Sequence, residues 1–266
     1  MIIGHTLLGL TTYALLRHFH SAPLIAITGG LITQSSSLMF WSTKWTTINL
    51  MGWWWLPIAL LTWQQIAQNN QRAAHTRAGI WALLLSAVLW GMTLTDLQYP
   101  LFLAFLIFPY GLWTLIQARS WLKRVTLSIY GLASITSALI LLWVAGPIPY
   151  LLTYDRGALA TTPAERAPAI LFPAGYFWRL EDGVSISLGA ILLPMFLLAL
   201  MISLRNRKTR AATDNPSRWF WFAMAIPPLV LSAGASIELL GVTVPMPYVW
   251  LHNLLGGTFR YPERFV

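Results

Sequence analysis

The chain has 266 residues, of which 57% are hydrophobic and only 9% charged, with a formal net charge of +9. Soluble domains carry about 25% charged residues, so this composition excludes an ordinary water-facing surface. The absence of cysteine excludes disulfides, thiol catalysis and thiolate metal sites, and the positive balance reads as Lys and Arg retained on one side of a membrane rather than as a nucleic-acid footprint.

Charge is confined to narrow bands. No Asp, Glu, Lys or Arg occurs between Arg17 and Lys44, Lys44 and Arg72, Arg77 and Asp96, Asp96 and Arg119, Arg124 and Asp155, Asp182 and Arg205, or Arg218 and Glu238. Most of these gaps are long enough for a helix to cross a bilayer, which takes about 20 mainly apolar residues. The pattern predicts an all-α, polytopic bundle of about eight transmembrane helices forming a single domain over 1–266.

In chain order, the helices are expected near 2–16, 23–40, 49–66, 79–95, 100–118, 125–152, 184–204 and 219–241. The first lacks a basic leader and a small-residue cleavage site before Arg17, and His5 interrupts it, so it reads as a retained helix rather than a signal peptide. Pro109, Pro147, Pro149 and Pro227-Pro228 are expected to kink or end their helices. The long connection 153–183 holds Pro163, Pro168, Pro173 and the aromatic run Tyr176-Phe177-Trp178, and reads as an external surface loop.

Sorting the connections alternately separates the charges. One side has eleven bases (Arg17, Arg72, Arg77, Arg119, Lys123, Arg124 and five between 205 and 218) against one acid, Asp214. The other has six bases (Lys44, Arg156, Arg166, Arg179, Arg260, Arg264) against seven acids. The positive-inside rule makes the first side cytoplasmic and places the N-terminus outside. A ninth helix begins at the C-terminal end, so the chain reads as a fragment of a longer protein of the plasma membrane.

The candidate chemistry gathers on the external side. Asp96 follows the uncharged run 79–95 directly. A carboxylate at the membrane edge suits a general base or a ligand to a divalent cation, and it equally suits a cap for the helix that begins near Pro100. Lys44 and Asn49, ahead of Trp53-Trp54-Trp55, suit a lipid phosphate or a sugar, or an interfacial aromatic anchor. Arg260, Glu263 and Arg264 form the densest external polar cluster. They suit phosphate binding, since Arg grips phosphate bidentately, or an internal ion pair. Glu181-Asp182 reads as solvated loop or a carboxylate pair, and His18 with His20 has no third ligand nearby, so no metal site is assigned.

The order of these pieces resembles bacterial and archaeal GT-C-type glycosyltransferase-like membrane proteins, with relatives in the YfhO-like group. The segments that carry the resemblance are Gly9 to Arg17, Thr47 to Pro57, Asp96 to Tyr99, Glu181 to Gly189 and Pro245 to Phe265. Thr47 stands where the family has His. The resemblance implies a membrane enzyme that transfers a sugar from a polyprenyl-phosphate carrier on the external face. On the chemistry of that reaction, Asp96 is the candidate catalytic carboxylate that orients the acceptor, and Lys44, Asn49, Tyr99, Arg260, Glu263 and Arg264 are the candidates to bind substrate and phosphate. The family's first external loop, with its usual acid, would precede Met1.

Two other classes compete. A lipid or sugar transporter or flippase places ionisable groups near mid-membrane, and no expected helix centre here carries one. A non-catalytic membrane scaffold would need none of the external groups.

Overall fold

The computed structural model describes residues 2–19, 22–34, 52–97, 99–153, 220–221, 223–224, 236–239, 242–245 and 247–254. The chain divides into two compact units, Met1–Tyr154 and Asp155–Val266. The expected helix 184–204 and most of the loop 153–183 lie outside the described residues.

The first unit is helical: α1 Ile2–His18, α2 Pro23–Gln34, α3 Trp55–Gln71, α4 His75–Thr95, α5 Tyr99–Gln117, α6 Trp121–Ala145 and the short α7 Ile148–Thr153. Helix α3 touches α1, α4, α5 and α6 and is the hub. Helices α4, α5 and α6 are long and apolar enough to cross a membrane.

Three boundaries depart from the sequence expectation, each for a local reason. Helix α3 runs to Gln71 rather than 66, because Gln, Ala and Asn continue a helix that a hydropathy reading cuts off at the first polar run. Helix α4 starts at His75, with Arg77 in its first turn. The expected helix 125–152 is two elements. Ser120 caps α6 by accepting a hydrogen bond from the Lys123 N–H, and Gly146, extended at φ −151° and ψ −169°, ends it. The following Pro147 drives its predecessor out of the helical region.

The turn between α3 and α4 is a Schellman motif. The Ala73 N–H donates to the Asn70 carbonyl (3.1 Å), and the Ala74 N–H reaches back to Asn69 (2.9 Å). Ala73 sits at φ 56°, in the left-handed region, where glycine is the usual occupant.

Small residues let the helices close on one another. A Cβ on Gly30 would lie 2.7 Å from the Gly9 carbonyl oxygen, so the α1 and α2 backbones are in direct contact, the device membrane helices use in place of hydrophobic collapse. The Trp63 ring of α3 lies between α5 and α6: a Cβ on Gly131 would meet it at 3.1 Å and one on Gly111 at 3.5 Å.

The interior of this unit mixes an apolar core, with Leu60, Ile66, Leu85, Met92 and Leu127 buried, with polar side chains, and its outer surface is apolar. Thr62, Gln64, Asn69, Asn70, Ser86, Thr114 and Ser134 are buried, while Leu83, Phe108, Ile116, Leu132 and Val144 are well exposed. A third or less of each long apolar window in α4, α5 and α6 is covered by the protein itself.

In the second unit the expected helix 219–241 is helical at 220–221 and 223–224 but does not continue to its end. Ser236–Leu239 is a strand, β1, paired antiparallel with β2, Val242–Pro245. Leu239 faces Val242, leaving two residues, Leu240 and Gly241, between the strands. A short apolar run fits either period. Here the β-branched Ile237, Val242, Thr243 and Val244 with the intervening Gly decide for a hairpin. The hairpin is the departure from an all-α reading of a mostly helical protein. Pro247–Leu254 forms α8, with Pro at its first position, where the missing N–H costs nothing.

Replacing Ala73 with Gly relieves the left-handed strain but loosens the unfolded chain, for a net gain of about 0.5 kcal/mol. Thermal unfolding of the solubilised protein checks it, and Ala73→Gly is expected to melt above the parent.

Candidate functional site

The helix ends sort into two groups. At one lie the C-termini of α1, α3 and α5 and the N-termini of α4 and α6, with Arg17, Arg72, Arg77, Arg119, Lys123 and Arg124. At the other lie the α4–α5 turn, the N-terminus of α3 and the C-terminus of α6. Asp96, in that turn, is the sole carboxylate side chain among residues 1–154.

Backbone bonds fix Asp96. It is the extended C-cap of α4 (φ −161°, ψ 133°). Its N–H donates to the Met92 carbonyl at 3.1 Å, and its own carbonyl accepts the Tyr99 N–H at 3.2 Å. The residue is half-buried.

Beside this turn is an aromatic floor. Trp53 stacks on Phe102 (5.1 Å, 21°) and meets Tyr99 edge-on (5.4 Å, 89°). Trp54 stacks on Trp55 at 3.8 Å. The Trp55 indole N–H donates to the Thr95 hydroxyl (3.0 Å), which donates to the Gly91 carbonyl (2.9 Å). Gly52 and Gly91 admit these rings: a Cβ on Gly52 would come within 2.9 Å of Tyr99, and one on Gly91 within 2.7 Å of Trp55. The Trp53 indole N–H is buried without a partner among the described residues.

Of the candidate residues, Asp96 and Tyr99 are brought together. Tyr99 is 1% exposed, so its ring builds the floor. Lys44, Asn49, Arg260, Glu263 and Arg264 lie outside the described residues. Among the described residues no three of His, Cys, Asp and Glu converge. Asp96 alone offers too few oxygens to hold a divalent cation, which takes six or more ligands.

A second feature, a polar seam through the middle of the bundle, was not anticipated from sequence. Tyr110 of α5 donates its hydroxyl hydrogen to the Gln64 side-chain oxygen. The Trp63 indole donates to the Thr114 hydroxyl (3.1 Å), which donates to the Gly111 carbonyl (2.7 Å). Ser134 of α6 donates to the Ala82 carbonyl of α4 (3.0 Å). One signal could have found the seam: Tyr110 and Thr114 stand four apart, on one face of α5, opposite the Trp63-Gln64 pair.

At the basic end, α3 and α6 are tied reciprocally. The Asn70 amide donates to the Lys123 carbonyl (2.7 Å), and the Lys123 ammonium donates to the Gln71 carbonyl (2.5 Å). A cation on the last carbonyls of a helix also complements its dipole.

No family model, curated protein or solved structure matches the chain.

Tyr110→Phe strands the buried Gln64 oxygen and is expected to cost about 1 kcal/mol. Adding Gln64→Leu should restore most of that loss, since removing both partners leaves nothing unpaired. A thermal-unfolding double-mutant cycle reads the difference; equal, additive losses would show that the two side chains act independently.

Proposed function

We propose that the chain is a multi-pass protein of the plasma membrane whose basic end faces the cytoplasm. On the opposite face, Asp96 takes part in transfer of a sugar from a polyprenyl-phosphate carrier, in the manner of the GT-C glycosyltransferases it resembles. The observation that carries this reading is the two-ended bundle. Six bases gather at one end, the sole carboxylate of the first unit sits at the other in a turn beside packed aromatic rings, and the wall between them is apolar outside. An apolar exterior on this scale is costly in water and suited to lipid, and the excess of Lys and Arg at one end sets the orientation.

The chemistry asked of Asp96 is modest. An acceptor hydroxyl attacks the anomeric carbon, its proton passes to the carboxylate, and the bond from that carbon to the phosphate oxygen breaks, releasing the polyprenyl phosphate. A positioned carboxylate contributes about 10²–10⁴-fold as general base. The half-buried indoles of Trp53, Trp54 and Trp55 are the apolar faces proposed to pack against a sugar ring or a prenyl chain. Lys44, Arg260 and Arg264 are the cations proposed to meet the leaving phosphate. No step is routed through a metal.

The transporter reading requires a polar path through the bundle. The polar groups found at mid-helix are instead paired with one another, Gln64 with Tyr110 and Trp63 with Thr114, as helix–helix ties are.

Transfer is tested with the full chain in proteoliposomes supplied with radiolabelled polyprenyl-phosphate sugars. Asp96→Asn is expected to lower the rate by about 10²-fold or more with folding unchanged by circular dichroism, and an undiminished rate removes Asp96 from the site. Orientation has a separate test, made clean by the absence of native cysteine. Cysteines placed at Ser120 and at Leu97, both exposed and at opposite ends of the bundle, should label with an impermeant maleimide from opposite sides of sealed vesicles.

A further inference from the structure

The basic end carries three cations that the fold does not use. Arg72, Arg77 and Arg119 are exposed, and none of the three side chains has a hydrogen bond or an ion pair among the described residues. Their neighbours differ: Lys123 donates to the Gln71 carbonyl (2.5 Å), and Arg124 donates to the carbonyls of Ala118 and Ile116. No carboxylate of the first unit lies at this end, since Asp96 sits at the other. Arg77 is in the first turn of α4, which holds no acid, so its charge opposes the helix dipole there. Like charges gathered without a counter-charge repel one another and draw anions from outside the chain.

The place of these cations says which anion. Arg77 is followed on the same face of α4 by Ile80 and Leu84, both exposed. Arg119 stands just ahead of Trp121 and Leu122, which are 76% and 73% exposed and open the apolar outer face of α6. Charge therefore gives way to apolar surface within about one turn on both helices, and both are long and apolar enough to cross a membrane. An exposed Trp beside basic residues marks the membrane–water boundary, where the nearest anions are lipid phosphates. An acidic protein would meet the same arginines from the aqueous side and would have no use for the apolar border.

We propose that Arg72, Arg77 and Arg119 gather anionic phospholipids around the basic end of the bundle, through charge and without selecting a headgroup. The proposal rests on the bilayer-spanning reading above, not on sugar transfer. A guanidinium grips phosphate oxygens through paired N–H groups. The exposed Ile80, Leu84, Ile129 and Leu132 beyond the arginines then meet the acyl chains of the same lipids.

The experiment reconstitutes the full chain in phosphatidylcholine vesicles with trace spin-labelled lipids and reads, by electron paramagnetic resonance, the share of each label slowed at the protein surface. Labelled phosphatidylglycerol and phosphatidylserine are both expected to be enriched about fivefold over labelled phosphatidylcholine at low salt. The enrichment should shrink in about 1 M salt, where screening shortens to roughly 3 Å. The triple variant Arg72→Gln, Arg77→Gln, Arg119→Gln removes no bond among the described residues, and should lose most of the enrichment with helix content unchanged. The same three substitutions at Arg156, Arg166 and Arg179, which charge sorting puts on the opposite face, should leave it intact. Unchanged enrichment in the first variant, equal loss in the second, or enrichment of one anionic lipid and not the other overturns the proposal. Oligoglutamate that binds the chain in phosphatidylcholine vesicles and is not displaced by phosphatidylglycerol assigns the arginines to an acidic protein, and overturns it too. Carbonate extraction of the same vesicles reads membrane insertion independently. A chain that resists extraction without enriching anionic lipid loses only this proposal, and a chain that is extracted loses the membrane reading as well.

Discussion

Helix α3 is the most polar of the long helices in the first unit, and it occupies the centre, against α1, α4, α5 and α6. Buried amides and hydroxyls are tolerable only when each finds a partner, and a surrounding hydrocarbon phase would supply none. The rest of the bundle is set by that requirement. Helix α5 must turn Tyr110 toward Gln64 and Thr114 toward the Trp63 indole, and α6 must bring the Lys123 carbonyl to Asn70. These bonds fix rotation and register, which apolar packing alone leaves loosely specified. The Trp63 ring then fills the space that Gly111 and Gly131 leave on the two facing helices.

With its buried polar groups paired inside an otherwise apolar core, the bundle has an outer surface of Leu, Ile, Val and Phe, and its charges lie at the ends. The two ends are built differently. At the basic end, side chains cap helices: Lys123 takes the last carbonyls of α3, and Arg124 reaches the carbonyls of Ile116 and Ala118 at the end of α5. At the Asp96 end the turn is held by backbone bonds and by packed rings.

Much of this was legible in the sequence, and for one reason. Charges mark where helices stop, so the gaps located α1, α4 and α5 to within a few residues and the start of α2, while residues 35–40 of the expected second helix lie outside the described residues. The method fails where polarity is internal. The run Gln64-Gln65-Ile66-Ala67-Gln68-Asn69-Asn70-Gln71 looks like the end of a span and is instead the polar half of the hub helix, because hydropathy counts a side chain's chemistry and not its partner. It fails again at 236–239, where an apolar stretch carries no statement of its own period and pairing with Val242–Pro245 decides the structure. At the candidate site, Asp96 stood out as a lone acid between apolar runs. The aromatic floor beside its turn did not, since Trp53 and Phe102 are far apart in sequence and meet only when the start of α3 packs on α5.

The seam also bears on where chemistry can occur. A substrate passing between the two ends would have to part Gln64 from Tyr110 and Trp63 from Thr114. It would also have to move an indole held between two helices at glycines that leave it little clearance. Each parted bond strands a buried polar atom at about 1–3 kcal/mol. A paired seam therefore works as a partition. In the first unit it leaves the Asp96 end and the basic end as separate surfaces, one with a carboxylate-bearing turn beside packed aromatic rings and one with cations around a hollow. Binding at either end is then expected to leave the packing of the other unchanged.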